Sequence, residues 1–408
     1  MTFGRAIVAI LASSGAVALA SSCFVEGFVR VESGPEPVVD AGGDVTEEDA
    51  DATVGCGHAT WPSPPDGPDP GTDSVDVVFA TRQANFGEGE TGGAILGYDL
   101  DNYCTCQGEG SSCVAPEWAT ADHCDGPEGR DNAWADIFAA IAVFDPGLTS
   151  PAISQQMNAG DFAMLIHVSS YNGMPNDDNV VVALLPSPGL RYDPCLPPDA
   201  LPTWDGTDQW PVLASSLMGG GGAGAGGAPP ADCTTGASVP PGYDVDAPRF
   251  VDLQGYVSDS VVVANLPNVE IVLAGSSGGS NIQLTAGFVT GRLEEDGSTG
   301  RWTMTEGLLV GRWRVSEVFR SLSSMVTGAG EQVCTDHTVY PLIKSAVCKF
   351  PDIASTLGGP TTPCDAISFA MGFEGEQTTI GSVYVPTGAP NPCSPETDPA
   401  NDSCDPAG

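Results

Sequence analysis

Two short runs hold the densest oxygen chemistry in the chain: Asp99-Leu100-Asp101-Asn102, and Asp125 followed by Asp131-Asn132. Four cysteines, Cys104, Cys106, Cys113 and Cys124, lie between or beside them and would draw the two loops together. Calcium takes about six to eight oxygen ligands, often from Asp and Asn on loops. The spacing therefore nominates Asp99, Asp101, Asn102, Asp125, Asp131 and Asn132 as a calcium set, with Asp177 and Asp178 as a lesser one. Neither loop has EF-hand spacing. The competing reading is solvated turn residues, with Asp131 capping the helix that follows. The same cysteines beside His123 would also suit a zinc knuckle, but in an exported, cysteine-dense chain a disulfide framework is favoured.

Trp204 and Trp210, in Thr203-Trp204-Asp205-Gly206-Thr207-Asp208-Gln209-Trp210, set flat apolar rings beside acidic and amide groups. That is the chemistry of a sugar platform, and both are candidate ligand-binding residues. The alternative is that they anchor a long connection to the core. Gly275-Ser276-Ser277-Gly278-Gly279 matches the G-x-S-x-G pattern of serine hydrolases, but it sits between two strand patterns and reads as a hairpin turn rather than a nucleophile elbow. His58, His123, His167 and His337 fall into no metal-ligating or catalytic spacing, and no phosphate-binding or dinucleotide fingerprint occurs. Loop carboxylates remain the one route to hydrolytic chemistry.

Charge narrows the partners. With 53 Asp and Glu against 13 Lys and Arg, the formal net charge is -40. Nucleic-acid binding needs clustered cations that displace counterions, so a nucleic-acid partner is excluded, and anionic membrane surfaces are disfavoured for the same reason. Residues 1–22 read as a secretory signal peptide: a basic start at Met1 to Arg5, an apolar run from Ala6 to Ala20, then small residues. The run is shorter than the roughly 20 apolar residues a spanning helix needs. Ala18-Leu19-Ala20 suits ordinary cleavage and release of a secreted protein. Leu19-Ala20-Ser21-Ser22-Cys23 resembles a bacterial lipobox, which would attach a lipid to Cys23 and anchor an outer-membrane or cell-surface lipoprotein. The 13 cysteines favour the second route, because assigning Cys23 to a lipid leaves an even, pairable set.

These groups must be positioned by a body that begins after a tether. Residues 23–74 are acidic and rich in Pro and Gly, the composition of an extended, self-repelling linker, with Cys56 placed to staple its end to the body. The globular domain is expected over 75–388, interrupted by a Gly-rich insertion at about 214–242 that Cys195 and Cys233 would clamp, and followed by a cysteine-containing tail over 389–408. A boundary between two domains at the insertion is the alternative. From Val251 to Trp313, short apolar segments alternate with turn residues, the pattern of an antiparallel meander. Trp302, Met304, Leu308 and Val310 are expected on one face. Val75–Thr81, a weaker Gly93–Asp99, Phe162–Val168, Asn179–Leu185, Ala366–Phe373 and Thr379–Val385 add strands. Helical spacing marks Ala133–Ile141, Pro151–Asn158, a stripe of Val318, Phe319, Leu322 and Met325, and Asp336–Cys348, where Cys334 and Cys348 would bridge. The expected fold is mainly β, an antiparallel β-sandwich with a few peripheral helices, concanavalin- or laminin-G-like by analogy of strand pattern.

Taken together, the signal and Cys23, the Asp-Ala-Gly linker, Gly97-Tyr98-Asp99-Leu100-Asp101 with Cys104-Thr105-Cys106, Gly129-Arg130-Asp131-Asn132-Ala133 and Gly311-Arg312-Trp313 resemble uncharacterised secreted lipoproteins of myxobacteria. The resemblance implies an envelope location and no activity. The expected function is a non-catalytic binding or structural module of the cell envelope, for an extracellular glycan or an envelope protein, touching the membrane only through its lipid. A secreted hydrolase using loop carboxylates is the rival. The two differ in what a structure should contain: facing carboxylates in a cleft with protonation shifted by burial, or an exposed aromatic face.

Overall fold

The computed structural model describes residues 56–405 apart from 89–95, 120–122, 143–146, 220–231, 235, 276–277, 326–330, 357–358 and 387–392. The signal peptide, Cys23, the tether up to Gly55 and most of the Gly-rich insertion lie outside the described residues. In chain order the elements are β1 (Val75–Asn85), α1 (Ala133–Ala142), α2 (Ser150–Asn158), β2 (Ala163–Tyr171), β3 (Asp177–Ser187), β4 (Gln209–Leu213), β5 (Leu217–Gly219), β6 (Tyr243–Pro248) and β7 (Phe250–Ser258). There follow β8 (Val261–Gly275), β9 (Gly278–Asp296), β10 (Arg301–Arg314), α3 (Val315–Leu322), α4 (Tyr340–Lys349) and β11 (Ala366–Tyr384). Residues 96–99, expected to end a strand, form none. No helix among the described residues is long and apolar enough to cross a membrane.

The fold is mainly β, but it is a closed barrel and not a sandwich. Eight strands run antiparallel in the order β1-β2-β3-β7-β8-β9-β10-β11, and β11 returns to pair with β1. The cause lies in β11. Its sequence reads as two short strands, yet it runs unbroken for 19 residues, long enough to hold β10 along one edge and β1 along the other. Alternation along a strand states which face is buried; it does not state which edges meet. β4 adds parallel to the far end of β11, and β5 pairs with β6 in a separate ribbon.

Bulges decide which side chains enter the barrel. The register of β10 shifts between Met304 and Gly307, where Glu306 adopts φ 51°. An extra residue reverses the alternation that follows. Met304 therefore points inward, whereas Leu308 and Val310 face out and Leu309 and Trp313 take the interior. The single face expected for Trp302, Met304, Leu308 and Val310 is thus broken in two. Gly307 sits at the crossing because a Cβ there would lie 2.3 Å from the Phe373 ring.

One apolar cluster fills the interior and continues into the helices. Phe79, Ile166, Val182, Val262, Leu309 and Phe369 from the strands join Trp134 and Phe138 of α1, Met157 of α2, Phe319 of α3 and Val347 of α4. Two further clusters cover the outside. Trp210 and Val212 of β4, with Leu190 and Leu217, shield Val78, Ala80 and Leu165. Leu100 and Ile353 shield Leu308, Val310 and Ala370. The loop that carries the sequence-nominated acids is therefore clamped onto the outer wall of β10 and β11.

Six disulfides staple this arrangement, which belongs to an oxidising compartment: Cys56–Cys104, Cys106–Cys124, Cys113–Cys364, Cys195–Cys233, Cys334–Cys393 and Cys348–Cys404. Cys195–Cys233 clamps the base of the insertion as expected. Cys334 and Cys348 do not bridge each other. Cys348 lies in the last turn of α4, and at about 1.5 Å per residue the helix holds it some 12 Å beyond its start, so both cysteines reach the tail instead. The stretch 56–74, assigned to the tether by composition, lies along the body from Cys56 on. Trp61 stacks on Phe288 with ring centroids 3.8 Å apart, Tyr256 donates to the Pro62 carbonyl at 2.5 Å, and Asn172 donates to the Asp69 carbonyl at 3.2 Å.

Candidate functional site

Asp99 and Asp101 follow from turn chemistry. A carboxylate on a loop captures the amides two and three residues on. Asp99 Oδ1 accepts from the amides of Asp101 (3.2 Å) and Asn102 (2.6 Å), and Asp101 Oδ1 accepts from Tyr103 at 2.9 Å. The remaining oxygens are held by side chains: His58 Nδ1 lies 2.5 Å from Asp99 Oδ2, and Ser112 donates to Asp101 Oδ2. Asp131, 2% exposed, does not cap α1; its Oδ2 accepts from the Leu100 amide at 2.6 Å. That bond ties the second acidic run to the first, and oxygens of Asp99, Asp101 and Asp131 lie within 4.8 Å of one another.

Next to this triad opens a cleft of about 190 Å³ lined by Asp125, Asp131, Asp136 and Asp352 together with Arg130 and His123. Asp125 Oδ2 accepts from the Thr105 amide at 2.6 Å, and Asp352 accepts from the Ser368 amide at 2.8 Å and from its hydroxyl. Burial disfavours the charged carboxylates, and their mutual repulsion adds to it. Asp131 is pushed well above the usual range by burial and then by Asp101, Asp352 and Asp125. Burial, followed by repulsion from Asp101 and Asp352, lifts Asp125 to about 7, against the pull of the Thr105 amide. Asp352 rises to about 6 and Asp101 also rises, each chiefly through burial. His58 is raised by its hydrogen bond to Asp99.

Arg312, 3% exposed, is the buried cation behind the cluster, and burial lowers its pKa. Its guanidinium donates to the carbonyls of Ala354 (2.8 Å) and Leu100 (2.5 Å), so it fastens the acidic loop to β10 rather than pairing with one carboxylate.

Of the six nominated oxygen residues, Asp99, Asp101 and Asp131 converge and Asp125 lies at the adjoining cleft. Asn102 is an exposed turn residue at φ 61°. Asn132 reaches the cleft wall, but its amide is spent on Phe86 and Ala370, donating to one carbonyl and accepting from the other amide, each at 3.1 Å. Asp177 is buried as the acceptor for Asn172 and Asn179 amides while Asp178 is exposed, so they form no second set. All four cysteines of the zinc reading are disulfide-bonded. Asp352, His58 and Arg312 carry no local signal, since only the fold brings them to the acidic loops.

The tryptophan platform is overturned. Trp210 is 0% exposed, because β4 turns it onto the outer barrel wall, and half-buried Trp204 packs against it with ring centroids 5.5 Å apart. Trp204 Nε1 donates to the Asn158 carbonyl at 3.3 Å. They anchor the long connection to the core. Gly275 pairs with Gly278 across the β8–β9 hairpin, so the Gly-Ser-Ser-Gly-Gly run joins two strands. Compared with protein-family models, curated proteins and solved structures, the chain matches none.

Proposed function

We propose that this protein is an exported cell-envelope binding module, held at the surface by a lipid on Cys23, whose acidic cleft takes a divalent cation, calcium by its preference for oxygen. The observation that supports this most strongly is the crowding of Asp125, Asp131 and Asp352 around one cleft, all with protonation favoured by burial and, for Asp125 and Asp131, by the repulsion of neighbouring carboxylates. A bound cation replaces those protons and relieves that repulsion. The bound ligand assigned to the module is an extracellular glycan, which the cation would orient.

Hydrolysis is the second reading, favoured by the same shifted carboxylates. A hydrolase needs partners whose protonation is pushed apart, one acid and one base. Here burial moves Asp101, Asp125, Asp131 and Asp352 in the same direction, which suits a cation better. Calorimetric titration of calcium into the disulfide-intact, chelator-treated protein, repeated in buffers of different ionisation enthalpy, tests the assignment. Binding with proton release, lost in Asp131→Asn, is expected. No calcium binding at millimolar concentration, or turnover of a glycoside panel that Asp125→Asn abolishes, would replace it with the hydrolase. Glycan arrays probed with and without calcium then test the ligand, and the mass of the membrane-extracted protein tests the lipid on Cys23.

A further inference from the structure

A second opening lies where the barrel wall parts. β7 and β8 pair only over Tyr256–Ser258 and Val261–Val263. Beyond that point β7 keeps β3 on its other edge and β8 keeps β9, so the two strands diverge with their facing edges unpaired by each other. Asp252 Oδ2 accepts the Asn265 amide at 2.7 Å and closes the narrow end of the seam. Further along, Arg249, Val251, Pro267, Asn268, Glu270 and Arg314 line a cleft of about 520 Å³. Pro267 fits such an edge, since proline cannot donate to a neighbouring strand.

The charges in this cleft are unusual for a chain of net charge -40. Among the described residues, Arg82, Arg130, Arg191, Arg292 and Arg320 pair with carboxylates, and Arg301 and Arg312 donate to carbonyls. The guanidinium groups of Arg249 and Arg314 make neither kind of contact, and Arg314 Nε is buried without a hydrogen-bond partner. A guanidinium N–H removed from water without an acceptor is costly, and among the described residues neither arginine of the cleft has a carboxylate of this chain to pair with. The two carboxylates of the cleft are already engaged: Glu270 accepts from Asn281 at 2.7 Å, and both oxygens of Glu317 accept from Arg320.

We infer that the β7–β8 seam binds an extended acidic peptide, which adds as a strand to the open edge and places carboxylates on Arg249 and Arg314. Strand addition supplies main-chain hydrogen bonds, and arginine supplies the planar fork that matches a carboxylate. The test uses the full disulfide-bonded protein, a short end-blocked oligoglutamate, its oligolysine counterpart and an oligogalacturonate of equal charge. Oligoglutamate alone should bind, and hydrogen exchange should slow at amides within Phe250–Gly255 of β7. Arg249→Gln and Arg314→Gln should each weaken binding about tenfold or more. Arg249 is exposed, so its variant keeps the test valid if the Arg314 variant folds poorly. The inference is overturned by equal binding of the oligogalacturonate, by binding without slowed exchange in β7, by binding that Arg249→Gln leaves unchanged, or by no binding at millimolar peptide.

Discussion

Raising the pH of the cation-free protein from about 5 to about 8 should lower its melting temperature, with Asp125 as a measurable part of the loss. The Asp125 carboxyl rises from 3.8 to about 7 on folding. A group whose folded value is raised contributes stability that is complete below its unfolded value and is lost as pH climbs through the folded one. At about 1.4 kcal/mol per pH unit, the two units between pH 5 and the folded value of about 7 correspond to about 3 kcal/mol; Asp125 is only partly buried, and solvent screening reduces this to about 1.5 kcal/mol. An unfolding entropy of about 2.1 cal/mol/K per residue makes that a fall of about 2 °C for a body of this size. Asp352, Asp101 and Asp131 are shifted in the same direction and deepen the fall. The assay is scanning calorimetry at the two pH values with chelator, repeated on Asp125→Asn. The amide mimics the protonated acid and still accepts from Thr105, so the variant should be the more stable protein at the higher pH. Calcium should restore the wild-type melting temperature there. A melting temperature that holds or rises with pH, or an Asn variant with an undiminished fall, would refute the reasoning.

Three other outcomes follow from packing and staples. Gly307→Ala, which drives a methyl into the Phe373 ring, should cost about 1–3 kcal/mol by overpacking, read as a lower denaturant midpoint. Cys113→Ser with Cys364→Ser removes the bridge of sequence separation 251 that holds the acidic loop to the start of β11; a loss of about 2–5 kcal/mol is expected by chemical denaturation. Arg312→Met leaves the Leu100 and Ala354 carbonyls without their donor and should loosen the acidic loop, seen as faster amide exchange at Leu100 and weaker calcium binding, with a stability loss of about 1–3 kcal/mol.

What the sequence determined by itself was local. Asp99-Leu100-Asp101-Asn102 folds back on its own amides because short carboxylates capture nearby N–H groups, and that behaviour needs no partner. Alternation in Val269-Glu270-Ile271 and Ile282-Gln283-Leu284 put Val269, Ile271, Ile282 and Leu284 in one core, and cysteine density marked an oxidising compartment. The tertiary structure decided everything that depends on which edges and loops meet. A bulge at Glu306 sent Leu308 outward, a choice that the consecutive apolar residues Leu308, Leu309 and Val310 do not make by themselves. Pairing of β11 with β1 closed a barrel where two shorter strands had suggested a sandwich. Trp210 looked like a loop residue and is core, because β4 docks on β11. Asp352 and Arg312 reached Asp101 and Asp131 only through the β10–β11 wall and the Cys113–Cys364 bridge. The protonation of that cleft is accordingly a property of the fold: burial and the proximity of like charges set it, and neither is encoded in any one stretch of chain.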